Sequence, residues 1–371
     1  MGSHEDTPPL VGAIVGFGTI AQGHADGYAS TPDVRIAGVI DPVAARRQAA
    51  EARLPGVRAF ASLEELLLEA RVDFVDICCP PAWHANYALA ALEAGINVLC
   101  EKPVVVNTRE MSDLVAAFER STGMLFPCHN YRFSPAMSFL RSTIGQSDFG
   151  TIVSGHMRTF RSGHALGVAE WDPHWRRNST VSGGGIVQDH GWHSVYLACD
   201  LVGAAPVAVS CLAGELASHG TRNEDTALMT LYFDDFVRVT IELSWAATYR
   251  ETTYVVVGTD QSVLVNGDDV VHVRSRGGAA EPRLQRHHIV SDFDDPLHTK
   301  WFQQMFQSFR AALADQDLQV TYLTEALVTA SVIDAAYRSA DNSGQPVDVP
   351  LAASLGTTAL RAAPERSRHD G

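Results

Sequence analysis

Lysine is almost missing from this 371-residue chain: only Lys102 and Lys300 occur, and arginine supplies the rest of its 28 cations. Against 43 acidic residues these leave a formal net charge of −15. No long basic run interrupts that balance, which argues against general binding to nucleic acid or anionic membranes. Long apolar runs are missing as well. Nowhere do about 18 consecutive apolar residues occur, so no membrane-spanning helix or secretory leader is expected, and the expected location is cytoplasmic. The six cysteines, Cys78, Cys79, Cys100, Cys128, Cys199 and Cys211, form no CxxC pair and fall mostly in apolar, strand-like segments. They read as buried free thiols in a reducing compartment, which excludes a disulfide scaffold.

What remains is an ordinary globular composition, 46% hydrophobic and 19% charged, long enough for two or three domains. From residue 10 to 127, short β-branched runs (Leu10 to Gly16, Val34 to Asp41, Phe74 to Cys79, Asn97 to Cys100) alternate with amphipathic stretches such as Ser62 to Glu69 and Tyr87 to Gly95. That alternation predicts βαβ units, a parallel sheet and a dinucleotide-binding domain. From residue 128 to 350 the pattern changes. Strand-like segments at Ile152 to Phe160, Val207 to Ala213, Ala227 to Phe233, Val237 to Ser244 and Tyr254 to Val257 follow one another with few helices, predicting a second α/β domain with an open, mostly antiparallel sheet. Helices are expected over Thr299 to Ala314 and Thr324 to Ser339, and residues 351–371 read as a loose tail.

Three motifs carry chemistry. Gly16-Phe17-Gly18-Thr19-Ile20-Ala21 is a GxGxxA sequence between a strand and a helix, suited to a tight turn, close approach of a pyrophosphate and close helix packing. Asp41 ends the next strand, about 20 residues after Ala21, where a carboxylate accepts from the ribose hydroxyls and repels a 2′-phosphate, so NAD is expected over NADP. Arg46 and Arg47 read as a solvated helix face. Glu101-Lys102-Pro103 follows a strand and places one of the two lysines at a carboxyl end of the sheet, where ligands bind in such folds. In Gly183-Gly184-Gly185-Ile186-Val187-Gln188-Asp189-His190-Gly191-Trp192-His193, Asp189 and His193 are spaced i, i+4 on one predicted helical face and suit joint proton transfer. His190 joins them at i, i+3 from His193, yet no further ligand motif accompanies them, and no metal is expected.

In order along the chain, the Gly16 fingerprint, Pro80-Pro81-Ala82-Trp83-His84, Glu101-Lys102-Pro103, Asn130-Tyr131-Arg132-Phe133, GGGxxxDxxxH and the close Asp334 to Ala340 with Gly344-Gln345-Pro346-Val347 resemble the Gfo/Idh/MocA family of oxidoreductases. The resemblance implies a Rossmann domain joined to a substrate-binding domain that often makes oligomer contacts. It also implies hydride transfer between a nicotinamide cofactor and a carbon bearing a sugar or cyclitol hydroxyl. Lys102, Asp189 and His193 match the catalytic positions, and His84 and Glu101 match residues near the nicotinamide. With Gly16, Phe17, Gly18, Thr19, Ile20, Asp41, Pro80, Lys102 and Asn130 they make up the expected cofactor site. Tyr131, Arg132, Trp175, Arg176 and His190 are the expected substrate residues. The aromatic and cationic run Trp171 to Arg177 suits a polyhydroxylated ring, and His190 is a candidate for substrate choice. His193 is the expected base, Lys102 is expected to stabilise the alkoxide and help relay the proton, and Asp189 to orient substrate or imidazole. A homodimer or homotetramer is expected, since an open sheet face needs covering. Two other readings stay open: a redox-neutral NAD-dependent sugar lyase or glycosidase, and a non-catalytic NAD-binding sensor.

Overall fold

The computed structural model describes residues 8–217, 223–275, 283–291 and 299–350; the tail expected at 351–371 lies outside them. The first domain is a six-stranded parallel sheet built from β1 (Leu10–Val15), β2 (Val34–Ile40), β3 (Arg58–Phe60), β4 (Phe74–Ile77), β5 (Asn97–Cys100) and β6 (Leu125–Pro127), in the order β3-β2-β1-β4-β5-β6. Between the strands run α1 (Thr19–Ala29), α2 (Ala44–Arg53), α3 (Leu63–Glu69), α4 (His84–Glu93) and α5 (Thr108–Arg120), and α6 (Pro135–Ile144) follows. The central strand β4 is buried at every position, as a sheet covered on both faces requires. Helix starts follow their capping residues: Ser62 caps α3, Asn107 caps α5, and Ser134 caps α6 just before Pro135. Strand order reverses at β1 and β4, which opens a crevice at their carboxyl ends. The predicted strands fall where expected and run one or two residues shorter, except β5, which matches.

The second domain carries a nine-stranded sheet of β7 (Ile152–Phe160), β8 (Ala208–Gly214), β9 (Thr226–Tyr232), β10 (Arg238–Ser244), β11 (Glu251–Gly258), β12 (Gln261–Asn266), β13 (Asp269–Arg274), β14 (Arg283–His288) and β15 (Val347–Asp348). Its order is β14-β13-β12-β11-β7-β10-β9-β8-β15, antiparallel except where β7 meets β10. Between β7 and β8 lie α7 (Ser179–Ser182) and α8 (Trp192–Val202). Helix α8 and the long α10 (Gln316–Asp341) contribute Trp192, Tyr196, Leu323 and Ile333 to the core on the sheet's buried side.

Helix α9 (Thr299–Ala312) instead turns back to the first domain. There Phe302, Phe306 and Phe309 join Tyr28, Phe74 and Phe126 in one aromatic layer. Helix α10 begins two turns before the expected Thr324, capped by Asp315. Those turns carry Gln316, Asp317, Gln319 and Thr321, whose polarity hides the helical period. Among the described residues no helix is long and apolar enough to cross a membrane.

Candidate active site

A cavity of about 520 Å³ runs from the glycine loop to the amino end of α8. At its inner end Gly16 takes a positive φ of 82°, and a side chain there would strike the Cys79 backbone, so only glycine makes this turn. Gly18 has open space where a Cβ would project, and α1 starts there with no side-chain cap. Bare N–H groups facing open space fit a dinucleotide pyrophosphate. Asn130 lines the same cavity with a buried Oδ1 that has no hydrogen-bond partner among the described residues, a free acceptor for a ligand amide. Asp41 lies beside the loop, accepting the Phe17 N–H and the Val43 N–H at 2.9 Å each.

Arg46 departs from expectation. It is buried, lines the cavity, and donates from Nε to the Phe17 carbonyl at 2.8 Å. The first turn of α2 faces back onto the glycine loop, and a guanidinium five residues past Asp41 seals that contact instead of meeting solvent. Arg46 also pairs with Glu170 of the second domain at 3.4 Å, and Trp171 meets Trp83 edge-on at 5.9 Å. Residues 165–171 thus form a strap across the mouth of the dinucleotide crevice.

The reacting end is built from both domains. Lys102, leaving β5, donates to the Asp189 carboxylate and to its backbone carbonyl at 3.3 Å. Arg176 reaches the other Asp189 oxygen at 3.3 Å, and its guanidinium lies 4.1 Å over the Trp175 ring. Burial opposes charge on Asp189, but Lys102 and Arg176 outweigh it and hold the carboxyl well below its usual range. His193 is buried, lines the cavity, and bonds through Nδ1 to the Tyr196 hydroxyl at 2.8 Å. Burial first, then Lys102 and His190, push its pKa well below that of a free imidazole. Burial likewise pushes His190 down to about 3.

Asp189 and His193 share the cavity but make no hydrogen bond to each other. Val187–Gly191 forms a wide, π-type turn, which breaks the i, i+4 register assumed for the pair. The carboxylate therefore orients Lys102 and Arg176, and a phenol serves the imidazole.

This turn is anchored by Glu224. Its Oε1 accepts from Gly185 N–H at 2.9 Å, Val187 N–H at 3.1 Å and the Tyr337 hydroxyl at 2.8 Å, while its carbonyl accepts from Ile186. A side chain on Gly185 would collide with that carbonyl, which accounts for one glycine of the triple.

Of the other expected residues, Phe17, Thr19, Ile20, Pro80, His84, Glu101, Tyr131 and Trp175 line the cavity. His84 acts as a brace, with its ring nitrogens on the Pro103 and Cys79 carbonyls at 2.7 and 2.6 Å. Glu101 turns inward, accepting the Lys102 N–H at 3.0 Å and facing His24 at an ion-pair distance of 3.3 Å. His24 in turn bonds Asp76 at 2.8 Å. Arg132 is the exception. It pairs with Glu325 at 2.9 Å and Asp200 at 3.6 Å in a half-buried knot between the domains and does not line the cavity, so its charge is spent on the fold.

Sequence reasoning gave no site role to Tyr196, Glu224, Tyr337, Trp83 or Trp245, which come together only through tertiary contacts.

A dinucleotide-binding Rossmann crevice that meets a Lys-Asp pair and a histidine from a second domain defines a two-domain nicotinamide oxidoreductase. Residues 11–129 match the model described as oxidoreductase family, NAD-binding Rossmann fold, and residues 137–264 match the GFO/IDH/MocA C-terminal domain. The chain belongs to the Gfo/Idh/MocA family. It is 25% identical over 283 residues to D-apiose dehydrogenase of Paraburkholderia graminis, covering 74% of this chain and 73% of that one. It is 26% identical to D-glucoside 3-dehydrogenase of Escherichia coli, covering 68% and 74%. Among solved structures, GenD2 from gentamicin A biosynthesis, in complex with NAD, superimposes with a TM-score of 0.78 at 26% identity, covering 94% of this chain and 98% of GenD2.

Proposed function

We propose that the chain is an NAD-dependent oxidoreductase that interconverts a ring hydroxyl and the corresponding ketone of a sugar or cyclitol. The observation that carries this reading is the continuity of one cavity from the glycine loop to Lys102, Asp189 and His193. When bound, NAD supplies the hydride acceptor. Asp189 aims the Lys102 ammonium at the reacting oxygen and His193 faces the same oxygen, so proton transfer and hydrogen bonding at that atom fall to these two side chains. Tyr131, Trp175 and Trp245 offer flat apolar faces to the C–H side of a ring, and Arg176 and His190 offer polar contacts to its hydroxyls. The Asp41 carboxylate favours NAD over NADP by repelling a 2′-phosphate. The two curated relatives carry sugar names, which supports the substrate class.

The test is NADH absorbance with purified protein across free sugars, inositols, amino sugars and nucleotide-linked sugars, with NADH consumption on the matching ketones, beside His193→Ala. Stoichiometric cofactor turnover that disappears in the variant is expected. Tight NAD binding with no turnover on any of them would refute a dehydrogenase and favour a redox-neutral enzyme or a sensor. We also read the chain as a homodimer or homotetramer. Leu212, Leu228, Leu264 and Leu284 stand exposed on the sheet, and light scattering on the eluted protein reads its mass.

A further inference from the structure

The Tyr196 hydroxyl has two partners among the described residues: the Tyr131 backbone N–H, 3.2 Å away, and His193 Nδ1 at 2.8 Å. A backbone N–H can only donate, so it takes a lone pair of the phenol oxygen. The phenol hydrogen then has one acceptor, His193 Nδ1. The opposite arrangement, with Nδ1–H donating to the phenol, would leave a buried hydroxyl hydrogen unbonded, which buried polar groups avoid. Nδ1 therefore keeps its lone pair, and a neutral ring must carry its hydrogen on Nε2. That nitrogen makes no hydrogen bond among the described residues, and the ring lines the cavity.

We propose that Tyr196 is a positioning residue that fixes His193 as the Nε2–H tautomer, so that His193 donates a hydrogen bond to the reacting oxygen and Lys102 alone exchanges the proton with it. This assignment of roles rests on the dehydrogenase reading above and replaces the expectation that His193 is the base.

In ketone reduction, the Lys102 N–H bond breaks and an O–H bond forms on the substrate oxygen, leaving a neutral amine that solvent reprotonates. In alcohol oxidation the same amine takes the hydroxyl proton. Lys102 suits the task, because Asp189 takes two of its three N–H donors and leaves the third for the substrate. His193 keeps its hydrogen throughout. The charged and titratable groups facing it are Lys102 from β5, Asp189 and His190 from the turn before α8, His129 from the crossover, and Tyr131 and Tyr196. Asp189 is the one anion among them and is already paired with Lys102 and Arg176, so no carboxylate serves Nδ1.

Two measurements test the proposal. In full-length protein labelled with 15N-histidine, a long-range proton–nitrogen correlation at neutral pH, with His193 assigned by difference from His193→Gln, should show the Nε2–H pattern. An Nδ1–H or imidazolium pattern overturns the proposal, whatever the protein's substrate. The Tyr196→Phe protein should lose the single-tautomer signature, and retention of it overturns the role given to Tyr196. In turnover, Gln keeps an N–H near the Nε2 position but cannot accept a proton. His193→Gln should therefore stay within about tenfold of the parent, while His193→Ala and Lys102→Met fall by about 10² or more. Equal losses for His193→Gln and His193→Ala overturn the donor role. If no sugar or ketone turns over at all, the dehydrogenase reading fails, and the tautomer spectrum still decides the state of His193.

Discussion

The stretch from Gly183 to His193 supports a paired prediction, because two of its glycines, Gly185 and Gly191, sit in opposite surroundings. A methyl group on Gly185 would overlap the Glu224 carbonyl, a backbone atom that cannot swing aside. To make room, the start of the turn must retreat from Glu224. That loosens the bonds from Gly185, Ile186 and Val187, each worth about 1 kcal/mol net and more to a charged acceptor. With overpacking of about 1–3 kcal/mol added, Gly185→Ala should destabilise the protein by about 3–5 kcal/mol. It should also pull Asp189 off Lys102. Gly191 is different. Its φ and ψ of −59° and −37° are helical, and an added methyl would meet Ile333 and Leu243 at an ordinary 3.5 Å. Gly191→Ala should therefore be neutral or stabilise by about 0.5–1 kcal/mol through lost chain entropy. Thermal melting by circular dichroism, read beside turnover, separates the two. A Gly185→Ala protein that melts and turns over like the parent, or a Gly191→Ala protein that does neither, would refute the anchoring role given to Glu224.

Further outcomes follow from the same geometry. Glu170→Gln removes half of a partly exposed ion pair and should weaken NADH binding by less than about threefold. Trp171→Ala removes the edge-on contact with Trp83 and should weaken it by about three- to tenfold, read by NADH fluorescence. Asp41→Ser should narrow the preference for NADH over NADPH by at least about tenfold in the same titration, with some loss of both because Phe17 and Val43 lose their acceptor. Burial opposes charge on Glu325, but Arg132 overrides it and lowers the carboxyl from 4.5 to about 2. A lowered folded-state pKa stabilises fully above the unfolded value, and that share, about 2 kcal/mol after screening at its partly exposed edge, should fade as pH falls from about 4.5 towards 2. Acid unfolding of Glu325→Gln beside the parent measures it. Arg132→Lys should lower the melting temperature while leaving the substrate KM within about twofold, since Arg132 lies outside the cavity.

The first domain was legible because each of its signals is local. The glycine turn, Asp41 at a strand end and Lys102 after β5 each depend on a few neighbouring residues, and the parallel sheet fixes where strand ends lie. The second domain was legible only where strands alternate. β14 reads Arg-Leu-Gln-Arg-His-His and is exposed throughout, so it carries no apolar period to detect. The site was half legible. Lys102, Asp189 and His193 do meet, but helical spacing implied a partnership between Asp189 and His193 that the wide turn breaks. Arg132 and Arg46 exchanged expected places: one is consumed by Glu325 and Asp200, and the other is drawn under the strap. Which arginine meets an acid from a distant element is decided by topology, and no local pattern encodes it.

The return of α9 to the first domain bears on how the protein is made. The outer aromatic layer of the nucleotide-binding sheet is completed by Phe302, Phe306 and Phe309, and Gly27 has no side chain because the Phe302 ring lies against its Cα. During synthesis the ribosome delivers that helix only after strands β7 to β14 of the second sheet have emerged. Until then Phe74, Tyr28 and Phe126 face solvent, and the nascent first domain presents an apolar surface suited to capture by a holdase chaperone. Competence to bind nucleotide should therefore appear late and all at once, when α9 closes over the first domain.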